Sequence, residues 1–378
     1  MRDIIRYRLL AIYLRIMNNS EITRLRLHTQ RLSATTFQRP DQVVSYLGAV
    51  QSQDYAGAKW ALAQRMQDPS DAALEKAFTD GSILRTHVLR PTWHFVTPGD
   101  IRWILKLTAP RVHAANAFMY RQTELDNATF KKSNRVLEKT LRDGQQLTRT
   151  ELASALNRAG VPASGVRLGY LMIYAELEGL ICSGGRRGKQ FTYALLDERA
   201  PQPSASRTRE EALAELASRY FTSRGPASLQ DFVWWSGLSM TDARHGLDMI
   251  KPTLNHHMAN GQTYWFTTSM LPNQDKSSAV YLLPNYDEYL VGYTDRSTTF
   301  DTAHTGNLDS RGSVLFQYTI LLDGQVKGTW KRTLKPGLVA MDLAPFRALK
   351  RAEKQAIAQA ANRFGKFLGL PVELTWTK

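Results

Sequence analysis

The sequence predicts an α+β fold in which three tandem winged-helix units precede a C-terminal β-rich, barrel-like domain. Three successive stretches between residues 21 and 262 carry apolar residues at helical spacing, and the first two end in an alternating stretch typical of a β-hairpin. Short β-type runs dominate after residue 262. A chain of 378 residues also exceeds the length at which one hydrophobic core keeps growing, which favours several packed modules.

The first predicted unit covers residues 21–125. Apolar periodicity predicts three helices, over residues 41–50, 55–66 and 72–79. Gly81 ends the third helix, and the stretch 83–96 alternates around a proline, which predicts a two-stranded wing. Three helices followed by a hairpin are typical of a winged helix.

The second predicted unit covers residues 126–200 and repeats this order. Its helices are predicted near 131–142, from Thr148 onwards, and over 167–180. Thr148 and Glu151 have the spacing of a capping box, which marks a helix start. The stretch 181–193 is predicted to be a hairpin with a glycine-rich, basic tip.

A third unit, residues 201–262, begins with a Pro- and Ser-rich linker near 200–206. Its helices are predicted over residues 208–222, 228–236 and 239–250. The rest of the chain, 263–378, contains β-type runs and one helix near 352–367, which predicts the β-rich, barrel-like domain.

Residues 1–20 are predicted to be an N-terminal extension. The run 4–17 is apolar, but arginines interrupt it and no small-residue cleavage site follows, so we expect no secretory signal. Met17 is a natural start, and residues 1–16 are interpreted as a translational overcall or a poorly ordered extension, with a surface amphipathic helix as the alternative. No run reaches the apolar length of a membrane span.

The charge balance predicts a polyanionic partner. Forty-nine Lys and Arg against thirty-four Asp and Glu give a formal net charge of +15, which favours nucleic acid through counterion release. A basic excess that serves solubility is the alternative.

The single cysteine, Cys182, excludes an internal disulfide and a cysteine-rich zinc site. The adjacent His256 and His257 are far from acidic residues in sequence, and no glycine-rich phosphate loop occurs, so we expect neither a metal nor a cofactor. We expect a monomer in the cytoplasm, associated with the nucleoid if the chain is bacterial, with no membrane partner.

Two glutamines are the most informative residues of the chain. Gln51 and Gln53 open a predicted helix that is rich in small residues. At a helix start both amides can project toward one cleft, where they offer donors and acceptors without a carboxylate. Helix capping and the lining of a solvated groove are the alternatives.

The segment 47–62 resembles the Gln-x-Gln motif of the AlkZ-like winged-helix DNA glycosylases, whose founding members protect producers of DNA-alkylating antibiotics from their own product. Three more segments are similar to that family, and the resemblance runs from about residue 20 to the C-terminus: Arg90–Val96, Leu283–Arg296 and Gly328–Arg332. The chain is therefore identified as a member of this family.

The resemblance implies that Gln51 and Gln53 are catalytic, positioning a water and stabilising the developing sugar cation. A purine alkylated at N7 already carries a positive charge and leaves readily, so amide dipoles suffice where an undamaged nucleotide would require a strong base. Ser52 departs from the family pattern, in which the middle residue is aliphatic, and can tilt the backbone or add a hydroxyl. Gln53 places the chain nearer the AlkZ-like branch than a sister branch with Asp there.

Two groups of basic residues are candidates for DNA binding. Arg186, Arg187 and Lys189 form the tip of the second hairpin and can enter a groove, with a solvated turn as the alternative. Arg90 and His94 belong to the first hairpin, and the Trp-His pair there matches the family pattern. A lone histidine is more often structural than catalytic.

The adjacent acids Asp287 and Glu288 invite a general-base hypothesis, but neighbours on a strand point to opposite faces. We instead predict an internal salt bridge to Arg296 or Arg332. No lysine lies directly beside the glutamine pair, which disfavours a Schiff-base lyase step, although Lys59, one to two helical turns further on, keeps that step open.

The sequence thus predicts a monofunctional glycosylase that releases N7-alkylated purines from double-stranded DNA and unhooks interstrand crosslinks. The alternative is a non-enzymatic winged-helix regulator of transcription, which explains the net charge equally well. A scaffold that binds proteins through the β-rich domain is a third hypothesis, and it leaves the glutamine pair unexplained.

Overall fold

The computed structural model describes residues 17–200, 202, 206–259, 261–267, 279–308 and 312–377. Most of the predicted N-terminal extension and most of the predicted linker near 200–206 lie outside the described residues. Within the described part, no helix is both long enough and apolar enough to cross a membrane.

The first part of the chain combines four helices with a small sheet. The helices are α1 (Asn19–Thr29), α2 (Pro40–Leu47), α3 (Tyr55–Ala63) and α4 (Asp71–Asp80), and the strands are β1 (Val50–Gln51), β2 (Leu84–His87) and β3 (Trp93–Val96). The strands lie in the order β1-β3-β2 with antiparallel pairing. The stretch 83–96 forms a β-hairpin, as predicted.

The prediction that Val50 continues a helix is wrong. Gly48 ends α2 with a φ of 78°, a conformation that favours glycine. Val50 then pairs with Phe95 of β3. Because the chain leaves the helix at this glycine, the backbone of Val50 forms its hydrogen bonds with β3 instead. Gln51, the next residue, also pairs with β3 and lies on the same strand.

A helix of 25 residues, α5 (Pro98–Gln122), connects the first part to the second and was not predicted. Pro110 lies inside it, and the apolar residues that it buries do not follow a clean stripe. Helix α1 was not predicted either, although Asn18 and Glu21 form a capping box at its start.

The second part has its own core. Its elements are α6 (Asn127–Leu141), β4 (Leu147–Thr148), α7 (Arg149–Arg158), α8 (Gly165–Leu177), β5 (Ile181–Ser183), β6 (Thr192–Leu195) and α9 (Leu196–Arg199). The predicted capping box is confirmed, because the Glu151 N–H donates to Thr148 Oγ1 at 3.3 Å and the Thr148 N–H donates to Glu151 Oε2 at 2.7 Å. The strand order is β4-β6-β5.

The third part contains α10 (Arg209–Arg224), α11 (Leu229–Ser236), α12 (Met240–Ile250) and the antiparallel strands β7 (Asn255–Ala259) and β8 (Gln262–Phe266). Ala227 forms an isolated bridge to Trp265 on β8. In all three parts a short segment before a helix therefore pairs with the second strand of the following hairpin. The winged-helix interpretation and the boundaries of the units stay predictions.

The C-terminal part is an open sheet rather than a barrel. Its elements are β9 (Val280–Leu283), α13 (Glu288–Val291), β10 (Thr319–Leu322), β11 (Gln325–Lys335), β12 (Leu338–Pro345), α14 (Arg351–Leu368) and β13 (Val372–Trp376). The strand order is β13-β12-β11-β10-β9, and the two edge strands do not pair. The prediction of a barrel-like domain is wrong because α14 packs its apolar side on the sheet, which leaves no need for closure.

The core between the first part and this sheet fixes their relative position. The indole N–H of Trp60 on α3 donates to the carbonyl of Leu282 on β9 at 2.7 Å, and its ring centre lies 5.0 Å from that of Phe364 on α14. A second core packs α5 against α10, α11 and α12. Together they bring β1, α10 and α13 to one place.

We expect Phe364→Ala to lower the free energy of unfolding by about 3–5 kcal/mol, because a buried aromatic ring leaves a cavity when it is removed. Phe364 is 1% exposed, whereas Phe118 is 60% exposed. Phe118→Ala is the matched control and should change stability by less than about 0.5 kcal/mol. Urea unfolding followed by tryptophan fluorescence measures both, and equal effects would contradict this account of the core.

Candidate active site

Gln51 and His94 face each other across two antiparallel strands. They are register partners between β1 and β3, and Thr86 of β2 is the partner of His94 on its other side. Directly opposite residues project to the same face of a sheet with their Cβ atoms about 5 Å apart. The sheet therefore brings together two side chains that the sequence predicted and one, Thr86, that it did not.

These three side chains are buried, and each keeps a polar atom without a partner among the described residues. The atoms are Gln51 Oε1, Thr86 Oγ1 and His94 Nε2. Gln51 is 6% exposed and the other two are fully buried. An unpaired buried polar atom costs about 1–3 kcal/mol, so a cluster of them is unusual in a core and typical of a site that binds a polar group.

The imidazole of His94 is neutral at pH 7. Its Nδ1 contacts the carbonyl of Thr92 at 2.9 Å, so Nδ1 carries the proton and Nε2 presents a lone pair. Burial lowers the pKa of His94 well below 6.5, and the charge of Arg90 lowers it further. Nε2 of His94 and Oε1 of Gln51 are thus two hydrogen-bond acceptors on one face of the sheet.

A buried carboxylate holds the backbone of Gln51. Glu288 is fully buried, and its Oε1 accepts the Gln51 N–H at 2.9 Å. Its Oε2 accepts from Arg224 Nη2 at 2.5 Å and from the indole N–H of Trp235 at 3.0 Å. Arg224 also donates to the carbonyl of Leu47 at 2.8 Å. The Arg224–Glu288 pair therefore clamps the chain on both sides of the turn that leads to Gln51.

Gln53 occupies a different environment from Gln51. It is exposed and lies in a bend between β1 and α3. Asp54 is the N-cap of α3 and accepts the Gly57 N–H at 3.0 Å. The prediction that both glutamines open the helix is therefore wrong, because the cap and the strand separate them from it.

Ser52 continues the strand between the two glutamines. Its N–H donates to the carbonyl of Trp93 at 2.8 Å, and its carbonyl accepts from Arg85 Nε at 3.2 Å. The side chain is fully buried, and its hydroxyl has no partner among the described residues. Neighbouring residues on a strand project to opposite faces, so this hydroxyl is not part of the Gln51–His94–Thr86 cluster.

The basic tip of the second hairpin is only partly available to DNA. Arg186 donates to Glu75 at 3.3 Å and lies over the rings of Tyr55 and Phe191. Arg187 donates to Glu151, and the two groups are 2.5 Å apart. Lys189 is exposed. Both arginines are thus bound to carboxylates of the protein, although about half of the Arg187 side chain stays exposed.

The partners predicted for the paired acids are wrong, although the prediction of internal salt bridges is correct. Asp287 pairs with Arg65, whose two terminal nitrogens donate at 2.8 Å and 3.1 Å, and Glu288 pairs with Arg224. Arg296 instead donates to backbone carbonyls, and Arg332 lies over Tyr318. Asp287 caps α13, so the acids begin a short helix rather than lie on a strand.

Lys59 is not directed at the glutamines. Its side chain is 5% exposed and forms ion pairs with Asp71 at 2.8 Å and Glu75 at 2.9 Å. A lysine held by two carboxylates is a poor nucleophile for a sugar aldehyde. In the described part of the chain, no group of three or more His, Cys, Asp or Glu could hold a metal ion.

Arg224, Thr86 and Glu288 belong to this site. The sequence predicted a salt bridge for Glu288, but with other partners, and no role for Arg224 or Thr86. Glu288 lay in a segment that the sequence marked, but its contact with Gln51 spans 237 positions. No local pattern reports such a contact. The only signal in the sequence was the pair of adjacent acids in a strongly basic chain, whose arginines could neutralise them.

The chain resembles known proteins over nearly its whole length. The model of the family described as DNA glycosylase AlkZ-like matches residues 44–367. An interstrand DNA cross-link repair glycosylase from Streptomyces sahachiroi is 23% identical over 374 residues, which cover 92% of this chain and 97% of the relative. The solved structure of Streptomyces sahachiroi DNA glycosylase AlkZ aligns with a TM-score of 0.75 at 20% identity and covers 96% of this chain and 100% of that one. The structural likeness establishes a shared mixed α and β fold.

The lowered pKa of His94 predicts a pH dependence of stability. In the unfolded chain a histidine takes up a proton below about pH 6.5, whereas folded His94 resists protonation. Its contribution to stability is therefore complete above about pH 6.5 and is lost as the pH falls, by at most about 1.4 kcal/mol per pH unit. Urea unfolding between pH 7.5 and about pH 5 should show this loss in the wild type and a smaller one in His94→Gln. The other histidines are common to both proteins, so parallel curves would contradict the assignment.

Proposed function

Because the chain belongs to the AlkZ-like DNA glycosylase family, we propose that it hydrolyses the N-glycosidic bond of N7-alkylated purines in double-stranded DNA and unhooks interstrand crosslinks. Membership of a family of DNA glycosylases makes the chain an enzyme and argues against the regulator hypothesis. The observation that carries the proposal is the buried cluster around Gln51, in which each side chain keeps a polar atom with no partner among the described residues. The strongly basic composition of the chain supports it as well.

In the proposed reaction the oxygen of a water attacks C1′ as the C1′–N9 bond breaks. The bonding electron pair goes to the purine and neutralises the positive charge that N7 alkylation gave it. The purine therefore leaves without protonation. The water loses one proton to solvent, and the products are an abasic site and the free alkylated base.

Gln51 and His94 suit this task because both offer acceptors. Gln51 Oε1 and His94 Nε2 would accept the two hydrogens of the attacking water and fix its orientation. The low pKa of His94 makes it a weak base, which suffices because the leaving group is activated by its own charge. The Gln51 carbonyl dipole would also stabilise the sugar cation.

Gln53, exposed at the bend, would contact the strand from outside and share in holding the sugar. We propose DNA contacts for Arg90 and the tip residues Arg186, Arg187 and Lys189. His94, the other candidate for DNA binding, is fully buried and would act on the DNA through the attacking water. Lys59 is the one lysine in the sequence segment 47–62 that contains the glutamines. Its ion pairs make it a poor nucleophile, which supports a monofunctional enzyme.

The three helical parts are proposed to be winged-helix units that wrap a duplex as a monomer. The common order of their strands and the separate core of the second part support this division. Basic residues throughout these parts would provide the salt-dependent share of the affinity.

We expect Gln51→Ala and Gln53→Ala each to slow base release by about 100-fold, because each removes a group that orients the reactants. The substrate is a duplex with one N7-methylguanine, and alkaline cleavage of the abasic product measures the single-turnover rate. Gln122→Ala, an exposed glutamine at the end of α5, is the matched control and should react like the wild type.

Wild-type rates in both variants would overturn the assignment of the glutamines. No release by the wild type from the methylated duplex calls for a crosslinked duplex. Failure with that second substrate as well would overturn the proposed function.

A further inference from the structure

Two arginines contact one partly exposed tryptophan beside the Gln51–His94 pair. The guanidinium carbon of Arg90 lies 5.5 Å from the centre of the Trp234 ring, and that of Arg296 lies 5.5 Å from the same centre. Trp234 is 38% exposed. The ring therefore carries two cations at a place that a ligand can reach from solvent.

Close packing of the third part on the first hairpin creates this arrangement. Gly237 ends α11 with a φ of 68°, and a Cβ there would lie 2.2 Å from the carbonyl oxygen of Leu89. Only glycine fits both the conformation and the contact. The indole N–H of Trp234 donates to the carbonyl of Val291 at 3.0 Å, which fixes the ring next to Arg90.

Both arginines keep buried donors without a partner among the described residues. These are Nε and Nη2 of Arg90 and Nη2 of Arg296. Arg296 is anchored by its other nitrogens, which donate to the carbonyls of Leu290 at 2.8 Å and Thr294 at 3.0 Å. Its remaining nitrogen is thus held in a fixed direction.

No carboxylate of the described residues lies within ion-pair distance of either guanidinium. Glu288 is the acid whose charge acts on Arg90, but it is already bound to Arg224. Burial lowers the pKa of Arg296 to about 10, the charge of Asp231 opposes this shift, and the charge of Arg90 adds to it. Asp295 also raises this pKa, but neither acid forms an ion pair with Arg296. Arginine is charged at neutral pH, so two like charges share a half-buried place, and no carboxylate of the described residues is ion-paired with either of them.

We propose that Arg90, Arg296 and Trp234 bind one phosphate of the DNA backbone next to the nucleotide on which Gln51 acts. Planar guanidinium groups match phosphate oxygens in geometry and charge, and an indole ring packs well against deoxyribose. Phosphate contacts fix the register of a strand. This one would place C1′ of the damaged nucleotide at the Gln51–His94 pair, and it rests on the proposed function.

The test combines neutral phosphates with arginine variants. Each duplex carries one N7-methyl-2′-fluoro-2′-deoxyguanosine, whose fluorine slows base loss, and one methylphosphonate at a single position flanking the lesion. Fluorescence anisotropy gives the Kd for the wild type, for Arg296→Gln and for Arg351→Gln, an exposed arginine at the start of α14 that serves as the control.

At one of the flanking positions we expect the methylphosphonate to weaken wild-type binding by about tenfold, because the charge-assisted contact between that phosphate and the arginines is lost. At the same position Arg296→Gln should lose only about threefold, because its own contact is already absent and only that of Arg90 remains to be lost. Arg351→Gln should behave like the wild type. Equal losses for the wild type and Arg296→Gln at every position would overturn the proposal.

Arg90→Gln provides a second variant, since that side chain forms no hydrogen bond with any residue that the structure describes. It should reproduce the pattern of Arg296→Gln, and its Tm should not fall below that of the wild type, because one of two like charges is removed. A loss of affinity in Trp234→Leu with no dependence on any phosphate would indicate base stacking and overturn the proposal. These are binding measurements, so they are independent of base release, which tests the proposed function.

Discussion

The buried ion pair between Arg224 and Glu288 is the contact on which the site depends. It joins α10, the strand that carries Gln51 and the short helix α13, which are distant in sequence. Both side chains are fully buried, and the carboxylate also accepts from Gln51 and Trp235. Removing one partner of such a pair typically costs about 3–5 kcal/mol, because the other charge stays buried and unpaired. The fold therefore maintains the position of the Gln51 backbone with the same contact that holds its parts together.

Buried acids with hydrogen-bond donors lie next to buried polar atoms that have no partner among the described residues. Asp287 and Glu288 each accept several hydrogen bonds, while Gln51, Thr86 and His94 each keep an atom with no partner among the described residues. A preorganised site is one in which the surrounding contacts hold such acceptors in position before the substrate binds. It suits a reaction whose leaving group carries its own charge, because orientation then contributes more than basicity does.

The sequence predicted the helices and hairpins where the periodicity was local and strong, as at α8, α12 and the stretch 83–96. It failed where tertiary contacts decide. Val50 looks helical, yet the glycine turn before it and its partner Phe95 make it a strand. The sheet after residue 279 has the composition of a barrel, but α14 covers it.

The glutamines and His94 could be found from the motif and the resemblance. The sequence predicted a salt bridge for Glu288 but not its contact with Gln51, and it indicated no role in the site for Arg224 or Trp234. Their contacts with the site span distances of tens to hundreds of positions, and no periodicity reports them. The most direct test of the clamp is hydrogen exchange at the backbone amide of Gln51, resolved by fragmentation mass spectrometry. We expect this amide to exchange as slowly as core amides such as that of Leu62, while the amide of Gln53 in the exposed bend exchanges fast. Exchange of Gln51 as fast as that of Gln53 would contradict the claim that Glu288 holds it.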